Sequence, residues 1–198
     1  MLHLGRLAAA LGAFALAVGI AAHALDELVD RPLRTRLSNG SLVALATAGL
    51  TGAVAIGAIG AVTISPLLIP LVAAGAFLVL AYNLELAGGR FHSDAWFAVA
   101  WGAFPAFTGY FANALQVRPA GLLVSAACCL LSVAQRRLSA PTRELRRRTA
   151  EVTGSQLLLD GERRELDVAA IAGPLEGALR ALWVALVLLA AGLVAVRL

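Results

Sequence analysis

Six long apolar stretches dominate this sequence and restrict the folds that it can adopt. A helix of about 20 apolar residues crosses a bilayer core of roughly 30 Å, and it satisfies its own backbone polar groups while doing so. Only 14% of the residues are charged, whereas soluble domains carry about 25%. The sequence therefore predicts an all-α fold, a polytopic transmembrane helical bundle of about six spans. The predicted spans cover residues 4–25, 41–63, 67–82, 95–114, 120–134 and 175–196.

The arginines predict how these spans are oriented. All 16 basic residues are Arg, and six spans place 13 of them on one side, leaving Arg6, Arg118 and Arg197 on the other. Because Arg-rich loops stay in the cytoplasm, we expect an integral inner-membrane protein with cytoplasmic polar loops. This explains the high Arg content without a nucleic-acid partner. The alternative, a signal peptide cleaved at Ala22-His23-Ala24, would leave the arginines of loop 26–40 outside.

The apolar stretches divide the chain into three predicted regions. Residues 1–134 form a five-helix membrane domain, residues 135–174 a polar cytoplasmic segment, and residues 175–198 the sixth span. The polar segment predicts an Arg-rich amphipathic helix over 141–152 and then a hairpin, since Asp160-Gly161 between short runs favours a tight turn. Its arginines either bind anionic lipid headgroups or only fix the topology.

Two features of the spans predict how the helices pack. Gly49, Ala53, Gly57 and Ala61 recur at four-residue intervals, a spacing that lets neighbouring helices approach closely. Pro105 lies inside the fourth predicted span, where it removes a backbone hydrogen bond and therefore predicts a kink.

One polar cluster stands at the predicted end of the first span. On a helix, the spacing of His23, Asp26 and Asp30 puts all three side chains on one face. Two carboxylates on one face suit Mg²⁺ held jointly by the protein and a substrate phosphate. The alternative is a solvated helix end, because acidic residues are common where a span leaves the membrane.

A second polar cluster fills the loop 83–94. Its Gly pair allows a tight turn, and Asp94 or Ser93 is placed to cap the fourth span. Arg90 and His92 have the charge to meet an anion. The alternative is an ordinary interhelical turn, which explains the glycines and the cap but not the density of polar side chains.

Aromatic residues recur along the fourth predicted span. Trp101, Phe104 and Phe107 lie deep in it and are suited to line a tunnel for an isoprenoid chain. A π face also stabilises a developing cation. The alternative is core packing, since aromatic residues at helical spacing are normally part of a core.

The first cluster resembles a motif of the UbiA-type membrane prenyltransferase superfamily. The first acidic motif of that family reads N-D-x-x-D-x-x-x-D, and Ala22 to Asp30 are in register with it. Asp26 and Asp30 match its second and third Asp, and His23 replaces its first. The residues Arg31-Pro32-Leu33 continue in the style common after that motif.

The second cluster is similar to the middle of the quinone-pathway members of the same family. The matching residues are Tyr82, the glycine-containing loop, Asp94 and Gly109-Tyr110-Phe111. The family generally has nine helices, so six spans would be a shortened version. Its second acidic motif should follow the fifth predicted span, where this chain has Gln135-Arg136-Arg137 instead.

The resemblance implies an enzyme that ionises a polyprenyl diphosphate and passes the isoprenyl group to a small or lipid acceptor. Asp26 and Asp30 would hold Mg²⁺ and the diphosphate, Arg90 would stabilise the leaving diphosphate, and Asp94 would position the acceptor. The substrate-binding residues implied are His23, Arg31, Tyr82, Asn83, His92, Arg136 and Arg137.

Two other functional classes stay open. A non-catalytic relative that binds an isoprenoid lipid is favoured by the missing second acidic motif. A small transporter or a subunit of a membrane complex is the third class, although few charges lie within the spans and no inverted repeat is visible. A chain this short predicts a homo- or hetero-oligomer if a closed chamber is to form.

Overall fold

A computed structural model of the chain describes residues 2–196 and is 77% helical with almost no sheet. Its contacts fall into two units, Met1–Ser132 and Val133–Leu198. The main elements, labelled in chain order, are α1 (Leu4–Val29), α2 (Asn39–Thr63), α3 (Pro66–Asn83), α4 (94–114), α5 (Pro119–Arg147), β1 (Ser155–Leu157), β2 (Arg163–Glu165) and α6 (Val168–Ala195).

The helical membrane-type fold predicted from the sequence is confirmed. Five helices, α1, α2, α3, α5 and α6, are long and apolar enough to cross a membrane. α4 is built from three shorter segments and is not among these five. Its Trp, Tyr, Pro and Gly residues make it less apolar than the aliphatic helices around it.

α1 extends beyond the end that its apolar run predicts. It is α-helical over Leu4–Phe14, π-helical over Ala15–Ala22 and α-helical again over His23–Val29. The predicted loop 26–40 is therefore wrong at its start, because residues 26–29 lie on the helix. The helix continues because Glu27 is buried and hydrogen-bonded rather than solvated.

Two buried clusters mark the two ends of the first unit. One joins the end of α1, the start of α2 and the end of α3 through Leu25, Leu42 and Val79. The other joins the end of α2, the start of α3 and the end of α4 through Ala61, Leu68 and Phe111. α1 to α4 therefore run between the same two ends, in alternating directions.

The predicted close approach along α2 is confirmed at two glycines. A Cβ atom on Gly49 would lie 2.8 Å from the Leu16 carbonyl oxygen and 3.0 Å from the Ala21 nitrogen, both on α1. A Cβ atom on Gly57 would clash with Val72 of α3. The small residues of α2 thus allow close contact with two neighbouring helices, with α1 at Gly49 and with α3 at Gly57.

The backbone of α4 changes where Pro105 interrupts its hydrogen bonding. A π-helical turn, Val99–Ala103, stands immediately before the α-helical segment Phe104–Ala114. Pro105 has no N–H, so the Trp101 carbonyl loses its usual α-helical donor, and a π turn is a common local response. Gly102 in this turn allows contact with α5, since its Cβ would lie 2.6 Å from the Cys128 carbonyl oxygen.

α5 is longer than predicted and enters the second unit. The predicted span 120–134 and the predicted amphipathic helix 141–152 are one continuous helix that ends at Arg147. It passes through Pro141, beside which the Thr142 hydroxyl donates a hydrogen bond of 2.7 Å to the Leu138 carbonyl. The prediction of a separate helix was wrong because α5 continues through Pro141, which removes one backbone hydrogen bond but does not end the helix here.

The rest of the second unit holds the predicted hairpin and α6. β1 and β2 pair antiparallel, with Gly161 in the left-handed region at φ 88°. Leu158 accepts from Gly161 and donates to Glu162, which is the pattern of a type I turn with a glycine bulge. Asp167 caps α6, so this helix starts before the predicted 175. Arg197 lies outside the described residues.

Candidate functional site

Both predicted polar clusters lie at one end of the first unit. The end of α1, which carries His23 and Asp26, shares a buried cluster with the end of α3. The loop 83–94 follows α3 directly, and Trp101 of α4 packs against the same cluster. We call this end of the first unit the Asp26 end.

Glu27 is the best-anchored polar residue at the Asp26 end, although sequence reasoning gave it no role. Its side chain is 2% exposed. One carboxylate oxygen accepts from the Leu33 nitrogen at 2.9 Å. The other accepts from the Thr35 nitrogen at 2.6 Å and from the Thr35 hydroxyl at 2.9 Å. Glu27 therefore fixes the loop between α1 and α2, and its oxygens are already used.

Arg31 also stabilises this loop through hydrogen bonds of its own. Its guanidinium donates to the Leu37 carbonyl at 3.0 Å, to the Thr35 carbonyl at 3.4 Å and to the Asn39 side chain. Arg31 and Arg34 both have positive φ, 50° and 51°, at a cost of about 1–2 kcal/mol each. These contacts hold Arg31 in the loop, and its predicted role in substrate binding stays a prediction.

The three residues of the first cluster stand in different environments. His23 is exposed, and its Nδ1 lies 2.7 Å from the Val18 carbonyl oxygen. Asp26 is half-buried on the last turns of α1 and already has an interaction partner. Asp30 is exposed at the C-terminal end of the helix, where its backbone N–H donates to the Asp26 carbonyl.

The carboxylates fit one specific mode of Mg²⁺ binding. In residues 2–196, no three His, Cys, Asp or Glu side chains are grouped where they could hold a metal ion. However, Mg²⁺ is often bound through one or two carboxylates and completed by substrate phosphates and water. Asp26 and Asp30 lie a helical turn apart and suit that mode. Glu27 does not contribute to such a site, because both of its oxygens accept hydrogen bonds from the loop.

The second cluster is an aromatic core around Tyr82. Tyr82 is 5% exposed, and its ring stacks on that of His92 with centroids 4.5 Å apart. Trp101 meets Tyr82 edge-on at 5.7 Å. The His92 Nδ1 is 3.1 Å from the Tyr82 carbonyl oxygen and 3.7 Å from a Glu85 oxygen. Asn83 is buried and donates to the Val79 carbonyl at 2.6 Å.

The remaining predicted site residues are more exposed or lie elsewhere. Arg90 and Asp94 are exposed on the loop that enters α4, and Ser93 rather than Asp94 caps the helix by accepting from the Trp96 nitrogen. Asp94 has another interaction of its own. Arg136 and Arg137 belong to the second unit, where Arg136 is half-buried with a partner and Arg137 is exposed.

An apolar cavity of about 130 Å³ lies among α1, α2, α3 and α4. Alanines of α1, among them Ala10, Ala13 and Ala17, form one wall of this cavity. Trp101 and Phe104 line it, as the tunnel interpretation predicts. Phe107 instead packs against the cluster at the far end of the unit. The small side chains of these alanines leave space between the larger lining residues of α1, such as Phe14 and Val18.

The cavity is long, and it is polar at one end only. Its lining on α1 runs from Arg6 to Val18, a rise of about 18 Å along the helix. Among the described lining residues, Arg6 carries the charge and Thr108 a hydroxyl group. The opposite end is lined by apolar and aromatic groups such as Val79 and Trp101. We call these two ends of the cavity the Arg6 end and the Trp101 end.

No protein-family model, no curated protein and no solved structure matches this chain. The resemblance to UbiA-type prenyltransferases therefore rests on the residues quoted for it and stays a prediction.

Proposed function

We propose that this protein crosses the membrane six times, with its Arg-rich loops in the cytoplasm, and that it binds the chain of an isoprenoid or similar lipid. The observation that carries the proposal is the apolar cavity among α1 to α4. The helices around it that qualify as membrane spans are α1, α2 and α3. The ligand would therefore reach the cavity from the surrounding lipid.

The size and lining of the cavity support a chain rather than a compact polar ligand. Apolar cavities of roughly 150 Å³ stay dry and take up small apolar ligands. A cavity of about 130 Å³ whose walls extend along α1 suits a narrow, linear segment. Filling it would restore the close contacts that the lining side chains lack when it is empty.

Filling the cavity with a side chain is expected to remove lipid binding. We expect Ala13→Phe to weaken binding of an isoprenoid alcohol, such as farnesol, by about tenfold or more, because the ring would occupy the same space. Ala8→Phe is the matched control, since Ala8 is exposed on the same helix and does not line the cavity. Native mass spectrometry of the detergent-solubilised protein measures both. Equal binding by the two variants would contradict the proposal.

A second candidate function, prenyl transfer, is favoured by the position of Asp26 and Asp30. Both stand at the end of α1, beside the loop that carries Arg90 and Asp94. In this proposal the two carboxylates hold Mg²⁺, which would neutralise the diphosphate. The allylic C–O bond breaks, diphosphate leaves with the electron pair, and the acceptor bonds to the allylic carbon and loses a proton. Arg90 would stabilise the charge on the leaving group.

The metal dependence of diphosphate binding tests this second candidate. We expect farnesyl diphosphate to bind the wild type at least about tenfold more tightly with Mg²⁺ than without it, and Asp26→Asn to remove the difference. Glu151→Gln is the control, because it removes an exposed carboxylate from the second unit. If the binding of farnesyl diphosphate depends on neither Mg²⁺ nor Asp26, this diphosphate site is ruled out. The proposal that the cavity binds lipid would not be affected.

A further inference from the structure

The charge at one end of the cavity indicates what kind of lipid it accepts. Among the described lining residues, Arg6 is the one that carries a charge. A guanidinium has five N–H donors and keeps its charge at every physiological pH. One of these donors bonds the Asn113 carbonyl oxygen at 3.3 Å. Within residues 2–196, this is the one hydrogen bond that the guanidinium makes, which leaves donors for a further acceptor.

Asn113 fixes Arg6 at this position. Its side-chain oxygen accepts from the His3 nitrogen at 3.1 Å, and its side-chain nitrogen donates to the Gly109 carbonyl at 3.2 Å. These bonds join the start of α1 to the end of α4. Arg6 is thus half-buried and held in the wall of the cavity instead of extending freely into water.

The Trp101 end of the cavity has no comparable group among the described residues. Val18, Val79 and Trp101 line it there, and Leu50 of α2 adds a further aliphatic side chain. An anionic headgroup would meet no charged partner among these residues, and the Trp101 indole N–H would be the single donor that they offer, so a buried charge is costly there. The polarity of the cavity therefore selects the orientation of an amphiphile.

The length of the cavity indicates what kind of lipid chain it accommodates. The distance of about 18 Å along α1 between Arg6 and Val18 is close to half of the roughly 30 Å hydrocarbon core. A single chain from one leaflet covers this distance.

We propose that the cavity binds an anionic single-chain amphiphile, with its carboxylate or phosphate head on Arg6 and its chain directed toward Trp101. This inference rests on the proposed lipid-binding function and adds the charge and orientation of the ligand. It places the head at the opposite end of the first unit from Asp26. The inference therefore differs from the diphosphate site of the second candidate.

Three ligands with the same chain separate the role of the head from that of the chain. Oleic acid, oleyl phosphate and oleyl alcohol are titrated into the full-length protein in neutral detergent at pH 8, where both acids are ionised. The proteins compared are the wild type, Arg6→Gln and Arg118→Gln. Arg118 lies just before α5, is exposed and does not line the cavity, so it controls for the loss of one positive charge.

We expect Arg6→Gln to weaken the binding of at least one of the two anions by about tenfold to a hundredfold, the usual effect of a lost charge-assisted hydrogen bond. The alcohol should bind both variants as it binds the wild type, which also shows that the variants are folded. Arg118→Gln should change neither anion. If the binding of only one anion depends on Arg6, that anion identifies the headgroup as a carboxylate or a phosphate. If the binding of both depends on Arg6, the cavity accepts either headgroup.

Two results would overturn the inference, and they differ in what they leave standing. If Arg6→Gln changes no ligand, or if Arg118→Gln weakens the anions equally, the head does not bind Arg6 although the cavity still takes a chain. If none of the three ligands binds the wild type, both this inference and the proposed lipid-binding function are contradicted.

Discussion

Replacing Glu27 with Gln is expected to open the loop between α1 and α2. The buried carboxylate accepts three hydrogen bonds, from the Leu33 nitrogen and from the nitrogen and hydroxyl of Thr35. A Gln amide can accept with one atom only, and its NH₂ group would face a backbone donor. A donor left unpaired in a buried position costs far more than the bond itself contributes.

Trypsin provides a direct readout of this change, because it cleaves after the loop residues Arg34 and Arg36. We expect cleavage of Glu27→Gln in this loop to be about tenfold faster or more, since the open form becomes more populated. Asp30→Asn is the matched control, as Asp30 is exposed at the edge of the same loop. Equal cleavage rates in the two variants would show that Glu27 does not hold the loop.

Adding one methyl group at Gly49 is expected to force α1 and α2 apart. The new Cβ would lie 2.8 Å from the Leu16 carbonyl oxygen and 3.2 Å from the Ala21 Cβ. The nearest of these atoms belongs to the backbone of the π-helical turn and cannot rotate away. We therefore expect Gly49→Ala to lower the free energy of unfolding by about 1–3 kcal/mol, the usual cost of overpacking.

Gly109→Ala separates this clash from the general effect of replacing a helical glycine. A Cβ on Gly109 would meet nothing within 4 Å. Ala is the better helix former, so this variant should gain up to about 1 kcal/mol. Reversible unfolding in mixed detergent measures both variants. A shift in the same direction for both would mean that Gly49 is not a point of close helix contact.

The helices were predictable from the sequence, but several of their ends were not. Apolar runs indicate where the chain is compatible with lipid, and they do not reveal a side chain that bonds a backbone further along. Glu27 looked like one of several acids at a helix end until Leu33 and Thr35 were seen to surround it. Similarly, α5 passes through Pro141, where the sequence suggested a break.

The cavity could not be predicted from any single segment. Its walls come from small residues on different helices, such as Ala13 of α1 and Gly75 of α3. Each is unremarkable in its own helix, and the space arises only where the helices fail to interdigitate. Of the three aromatic residues whose depth in a predicted span indicates a tunnel, Trp101 and Phe104 line the cavity, whereas Phe107 packs elsewhere. For Arg6, the sequence alone indicates only a contribution to the orientation of the spans.

The aromatic side chain of Trp101 reports directly on whether a chain enters the cavity. The chain has three Trp residues, so replacing Trp96 and Trp183 with Phe leaves Trp101 as the sole Trp, whose fluorescence is excited selectively over that of the two Tyr residues. A protein that keeps only Trp183, which is 66% exposed on α6, is the control for nonspecific contact with lipid. Both proteins are titrated with a fatty acid that carries bromine near the end of its chain, because bromine quenches Trp fluorescence on contact.

The account predicts saturable quenching of Trp101, which Ala13→Phe abolishes and Ala8→Phe leaves intact. Trp183 should show only weak quenching that rises linearly with the ligand. If Trp101 is quenched no more than Trp183, and without saturation, no chain occupies the cavity and the central claim is contradicted.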